Sequence, residues 1–182
     1  MKVKLLIAAL AALFVTAASA QGNGFVTGDY IRSTGDPQKS QYEYHVGGAY
    51  KTPYGTFDGA FVGVQDISTV YSTKAGAEAG YSYSMNYEGV RFTGRVAAGD
   101  VSGNGYYTLG AEAAYKVDPA VELYTNYRFR EGWGGEVASQ NRYGFGADVA
   151  LAKNVGLRIG YTYTDKQYQG WNGFNTALVL AF

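Results

Sequence analysis

The sequence predicts an all-β fold, a closed antiparallel up-and-down β-barrel of about ten strands that crosses a membrane, with eight strands as the alternative. Three observations predict it. Period-two alternation recurs along the chain after the first twenty residues, connections alternate between short and long, and the strands divide into a bulky aromatic face and a face of small and charged residues. No window beyond that N-terminal stretch sustains helical spacing.

The alternation is clearest over residues 41–51, where Tyr42, Tyr44, Val46 and Tyr50 share one face and Gln41, Glu43, His45 and Lys51 the other. Residues 75–87 repeat it, with Ala77, Ala79, Tyr81, Tyr83, Met85 and Tyr87 opposite Glu78, Ser82, Ser84 and Asn86. The same reading places strands at 24–32, 56–66, 89–99, 105–117, 121–130, 140–152, 155–164 and 173–182. Their lengths suit the roughly 9–11 residues that a tilted strand needs to cross a bilayer. An even strand number is what a single-chain bacterial barrel requires, and eight follows if 24–32 and one neighbour fail to pair.

Short links fall at Thr52-Pro53-Tyr54-Gly55, Glu88-Gly89, Asp118-Pro119-Ala120 and around Lys153-Asn154, and longer polar ones at 33–40, 67–74, 100–104, 131–139 and 165–172. Each can close a hairpin, so neighbours in sequence become neighbours in the sheet, with both termini on the short-turn side. Face parity then sets registers. If Leu151 pairs with Val155 across a loop in which Asn154 is left-handed, Asp148 lies opposite Arg158; if Val117 pairs with Val121, Lys116 lies opposite Glu122. Both pairs are expected to be lumen ion pairs between oppositely charged cross-strand neighbours.

Volume decides which face points outward. One face carries Tyr42, Tyr44, Tyr50, Phe57, Phe61, Tyr81, Phe92, Tyr107, Tyr127, Phe145, Tyr161 and other rings, more than the interior of a barrel of about ten strands can hold. The opposite face is rich in Gly, Ala, Ser and Thr, which fit a narrow lumen. A soluble barrel with an apolar core is excluded on this ground. Rings near strand ends suit interfacial girdles.

At the N-terminus Lys2 and Lys4 precede an apolar run from Leu5 to Val15 and the small residues Ala18-Ser19-Ala20. The run is shorter than the roughly 20 residues of a membrane helix and reads as a secretory signal peptide cleaved after Ala20. Residues 1–20 are therefore assigned to the signal and 21–182 to one barrel domain. Cys is absent, which removes disulfides and thiolate metal sites, and a formal net charge of +0 removes the basic field that nucleic-acid binding needs. No cofactor and no metal site is expected, because no His, Cys or carboxylate cluster has ligand spacing. The Asp100-Val101-Ser102-Gly103-Asn104-Gly105 segment reads as a glycine-rich hairpin loop rather than a calcium loop.

At the other end Phe174, Thr176, Leu178, Leu180 and Phe182 alternate to the last residue. A strand ending this way resembles the C-terminal signal of outer-membrane barrels, with Leu180 standing where an aromatic is usual. With the signal peptide and the strand pattern, the chain as a whole is similar to the small porin-like outer-membrane β-barrel family of Gram-negative bacteria. That resemblance implies an outer-membrane location, contact with lipid and lipopolysaccharide, and recognition of Phe174, Leu178, Leu180 and Phe182 by the barrel-assembly machinery.

The lumen is expected to be lined by Glu43, His45, Arg91, Arg95, Glu112, Arg128, Arg130, Arg142, Asp148 and Arg158, with Lys51, Asp58, Glu78, Lys116 and Glu122 on the same face. Arg95, Asp148 and Arg158 are placed near mid-membrane and Arg128, Arg130 and Arg142 toward the outer mouth. This basic surplus predicts a small passive pore for small, anionic solutes. A barrel filled by paired charges, with a structural or surface-interaction role, is the alternative. His45, beside Glu43 and on the same face as serines such as Ser82, leaves a lipid hydrolase as a third and weaker reading; no catalytic residue is assigned.

Overall fold

The computed structural model describes residues 24–33, 40–66, 72–133, 139–166 and 171–181. The expected signal segment and Phe182 lie outside these residues. Ten antiparallel strands follow one another as β1 (Gly24–Ser33), β2 (Ser40–Thr52), β3 (Gly55–Asp66), β4 (Ser72–Tyr87), β5 (Val90–Val101), β6 (Asn104–Asp118), β7 (Val121–Gly132), β8 (Gln140–Ala152), β9 (Val155–Lys166) and β10 (Trp171–Ala181). Each pairs with its sequence neighbours, and β1 pairs with β10 through a register running from Phe25 opposite Ala181 to Ser33 opposite Gly173. The sheet is therefore closed at ten strands, not eight, and the segment at 24–32 supplies the closing strand.

The short turns are built as their residues dictate. Glu88-Gly89 and Ser102-Gly103 both have positive φ, 48° and 83° in the first and 52° and 90° in the second, the twist-matched geometry of two-residue hairpins. The second turn corrects the sequence reading: β5 and β6 extend through Asp100 and Asn104, so the expected longer loop at 100–104 shrinks to two residues. Asp100 also accepts a hydrogen bond from the Gly103 amide at 2.9 Å, which fastens that turn.

Two registers hold for a reason other than the expected one. Asp148 is opposite Arg158 and Lys116 opposite Glu122, but the ladders shift between Ala150 and Ala152 and between Lys116 and Asp118. Val117 and Leu151 are thus bulge residues, both exposed outward, and Val121 and Val155 pair instead with Asp118 and Ala152. Asn154 is not left-handed; Glu88 and Ser102 are the non-glycine residues with positive φ among the described residues. One extra residue in a bulge preserves the same facing that a left-handed loop residue would have given.

Outward positions form an apolar belt that includes Phe57, Phe61, Tyr83, Phe92, Val96, Leu109, Leu123, Phe145, Ile159, Phe174 and Leu178, all exposed on the isolated barrel. Rings contact their neighbours along it. Tyr127, Tyr143 and Tyr163 form one row, with centroids 5.0 and 6.2 Å apart, and Phe145, Tyr161 and Phe174 another, at 6.0 and 5.5 Å. Such a belt is stable facing hydrocarbon and would be unstable facing water, so this is a transmembrane barrel.

Inward positions alternate small with large. A Cβ on Gly99 would lie 2.5 Å from the Tyr106 ring, one on Gly160 2.3 Å from the Tyr124 hydroxyl, and one on Gly80 2.7 Å from the Arg95 guanidinium. These glycines are sockets for the large groups that fill the lumen. A Cβ on Gly146 would meet the backbone oxygen of Ile159 at 2.1 Å, whereas one on outward Gly94 meets nothing within 4 Å. Gly146→Ala should therefore destabilise the refolded barrel by about 1–3 kcal/mol, and Gly94→Ala should stay within about 0.5 kcal/mol of the parent. Urea unfolding in lipid vesicles, followed by tryptophan fluorescence, measures both.

Candidate functional site in the barrel lumen

Charged groups on the inner faces come from strands all round the ring and meet in three groups. The first lies beside the short turns. Arg158 on β9 donates through Nε and Nη2 to both oxygens of Asp148 on β8, at 2.7 Å each, and Nη2 reaches Glu112 on β6 at 3.1 Å. Arg91 on β5 holds Glu122 on β7 through Nε at 3.3 Å and Nη2 at 2.6 Å, and lies 3.7 Å from Glu112. Glu112 thus joins the two arginines. Two-pronged guanidinium–carboxylate contacts of this kind combine charge with fixed geometry.

The Lys116–Glu122 ion pair expected from parity is corrected here. The two are cross-strand partners, yet the Glu122 carboxylate is taken by Arg91, and Lys116 is exposed next to the bulge at Val117. A planar fork that can donate twice outcompetes a single flexible ammonium. Asp148 and Arg158 also lie nearer the short turns than the mid-membrane position expected for them, since Asp148 is close to the end of β8 and Arg158 to the start of β9.

In the second group Arg95 on β5 donates to Asp58 on β3 at 2.5 and 3.2 Å and lies 2.8 Å from Glu78 on β4. Glu78 accepts a hydrogen bond from the Tyr106 hydroxyl at 2.9 Å. Tyr106 is almost fully enclosed, at 1% exposure, with the Arg130 guanidinium 4.5 Å from its ring centre. Tyr124 likewise lies under Arg158 at 4.0 Å. Sequence reasoning missed both tyrosines as lumen residues because tyrosine reads as an outward residue in this chain; their parity with Glu112 on β6 and Glu122 on β7 was the available signal.

The third group surrounds Glu43 on β2, only 2% exposed. Its carboxylate is 3.4 Å from Arg128 and 3.7 Å from Arg130, both on β7, 3.5 Å from Arg142 on β8 and 3.1 Å from His45 Nε2. In the ring order β2 and β7 are five strands apart in either direction, so the Glu43–Arg128 contact crosses the lumen along a diameter. His45 and Ser82 hold different partners: His45 bonds Glu43, and the Ser82 hydroxyl donates to the Thr56 carbonyl at 3.5 Å.

Between these groups is a chamber of about 300 Å³ lined by Arg95, Arg128, Arg142, Arg158 and Glu112, with Thr93, Thr108 and Asn126 as neutral polar walls. A wider mouth of about 620 Å³ opens at the short-turn end, past Lys116, Glu122, Asp148 and Arg158. On the last strand Phe174 and Leu178 point outward, and Leu180 is partly covered opposite Val26.

No protein-family model matches the chain, and no curated protein matches it either. Solved structures do. The β domain of the Bordetella autotransporter BrkA is 11% identical, with 88% of this chain and 100% of that one covered at a TM-score of 0.50. The transport unit of the Escherichia coli autotransporter AIDA-I is 13% identical over 97% and 98% of the two chains at 0.49, and the KdgM porin 9% identical over 87% and 99% at 0.45. The BrkA likeness shows a shared barrel fold.

The weight of the lumen charges is testable. Glu43→Ala leaves three buried guanidinium groups facing one another and should lower unfolding stability by about 3–5 kcal/mol. Lys116→Ala, at an exposed position, should stay within about 0.5 kcal/mol. The comparison is read from urea midpoints of the two refolded variants.

Proposed function

We propose that the protein is an outer-membrane barrel that acts as a narrow passive pore for small anionic solutes. The observation that carries this reading is the chamber in which four arginines face one carboxylate, Glu112, itself already bonded to Arg158. A positive wall in a confined space of low dielectric raises the local concentration of anions and repels cations. The mouth at the short-turn end shares Arg158 with that chamber. Lipid and lipopolysaccharide are the surroundings proposed for the apolar belt. The barrel-assembly machinery is the partner proposed for the final strand, through Phe174, Leu178, Leu180 and Phe182.

A second reading rests on a different observation. The Glu43–Arg128 contact spans the lumen, and with Arg130 and Arg142 beside it the side chains form a bar across the passage. A barrel held shut in this way would serve as a non-conducting structural or surface-interaction protein.

Planar-bilayer recording on refolded mature protein separates the two. The pore reading expects small steps that favour chloride over potassium, with the preference reduced in Arg128→Gln. A folded, heat-modifiable barrel that gives no steps would remove the pore and leave the closed barrel.

A further inference from the structure

We propose that the lumen chamber is a binding site for one small oxyanion of the sulfate or phosphate class. The inference shares the basic chamber with the pore reading and rests on that reading's charge assignment, but it requires a resident ion rather than passage.

The argument is an inventory of donors and acceptors. Around Glu43 stand three guanidiniums, each carrying five N–H donors, and the one carboxylate offers about four lone-pair sites, of which His45 already engages one side. The carboxylate cannot satisfy them all. Nη2 of Arg128 and both Nε and Nη2 of Arg130 are buried and have no hydrogen-bond partner. An unmet buried donor on a charged group carries a desolvation cost that a native fold normally relieves. Arg130 spends part of its charge on the face of Tyr106, whereas Arg128 lines the chamber itself.

The chamber's other walls are consistent with an anion as the missing partner. Arg95 and Arg158 reach it from the second and first groups, and Thr93, Thr108 and Asn126 add neutral polar groups. Glu112 is offset by Arg158 at 3.1 Å, and Arg95 by Asp58 and Glu78, so the sign of the chamber is set by Arg128 and Arg142, which share the single carboxylate of Glu43 with Arg130. Glu43 Oε2 is buried without a hydrogen-bond partner as well, so the unmet donors are ones that the carboxylate does not reach, and among them Nη2 of Arg128 belongs to a residue that lines the chamber. A tetrahedral oxyanion brings several acceptors on one compact ion, and guanidinium forks match its oxygens two at a time. At about 300 Å³ the chamber holds such an ion with several waters, each taking roughly 30 Å³.

The geometry also identifies a substitution that changes the charge without removing an arginine. Asn126 overlies Gly144, where an added Cβ would stand 2.6 Å from its Oδ1, so the side chain has a defined place over an inward glycine. Asn126→Asp keeps that shape and puts a carboxylate into the chamber wall.

The test is thermal unfolding of the full refolded barrel in detergent, titrated with sodium sulfate and sodium phosphate against sodium chloride at matched ionic strength. A ligand that binds only the folded state raises Tm in a saturable way. The expected result is a saturable rise with either oxyanion, absent with chloride. Apparent affinity should fall by about tenfold or more in Arg128→Met and in Asn126→Asp, the loss expected for one charged contact. Circular dichroism confirms that each variant is a barrel, and Asn126→Asp serves if Arg128→Met does not fold. Equal responses to sulfate and chloride in the parent would overturn the proposal, as would a sulfate response unchanged in Asn126→Asp. A barrel that binds sulfate but passes no current contradicts only the pore. One that conducts anions without saturable binding contradicts only the resident ion.

Discussion

The structure depends on closure of the backbone ladder. In hydrocarbon no water is available to an unpaired N–H or C=O, so a sheet that crosses a membrane can have no free edge. The β1–β10 seam meets that requirement, and the strand tilt and barrel radius follow from joining the ends at ten strands. The outward side chains then need only be apolar. The inward ones must fill a space of fixed width with whatever charge they carry.

That space is filled by complementary sizes. Gly80, Gly99 and Gly160 give up their side chains to Arg95, Tyr106 and Tyr124, which could not otherwise fit inside the ring. The large groups that do fit are mostly charged, and a charge taken out of water is tolerable only with a partner. Where carboxylates suffice for the guanidiniums, as with Glu112, Glu122 and Asp148 around Arg91 and Arg158, the lumen is laced together. Around Glu43 the match fails in favour of arginine, and the adjoining chamber inherits that surplus. The same imbalance underlies the proposed anion preference and the proposed resident ion, while the bar across the diameter would oppose free passage.

The strands were legible because the side-chain period of a β-strand is two and a membrane barrel makes its two faces chemically opposite. Parity alone placed Asp148 against Arg158. It placed Lys116 against Glu122 as well, yet the carboxylate belongs to Arg91, which lies two strands away around the ring. Local spacing also could not tell a bulge at Leu151 from a left-handed Asn154, because both leave the following residues on the same face. Nor could it show that Asp100 and Asn104 belong to strands, since a turn of Ser102-Gly103 and a longer polar loop share one composition.

By itself the sequence determined the strand order, the outward belt and the inventory of charges available to the interior, since each is a matter of spacing and residue type along the chain. Only the tertiary structure decided which charges meet. Closing the ring brings β2 face to face with β7, and a guanidinium reaches across a lumen this narrow to partners that no local register names. The surplus of arginine around Glu43 arises in the same way, from distances across the ring rather than along the strand.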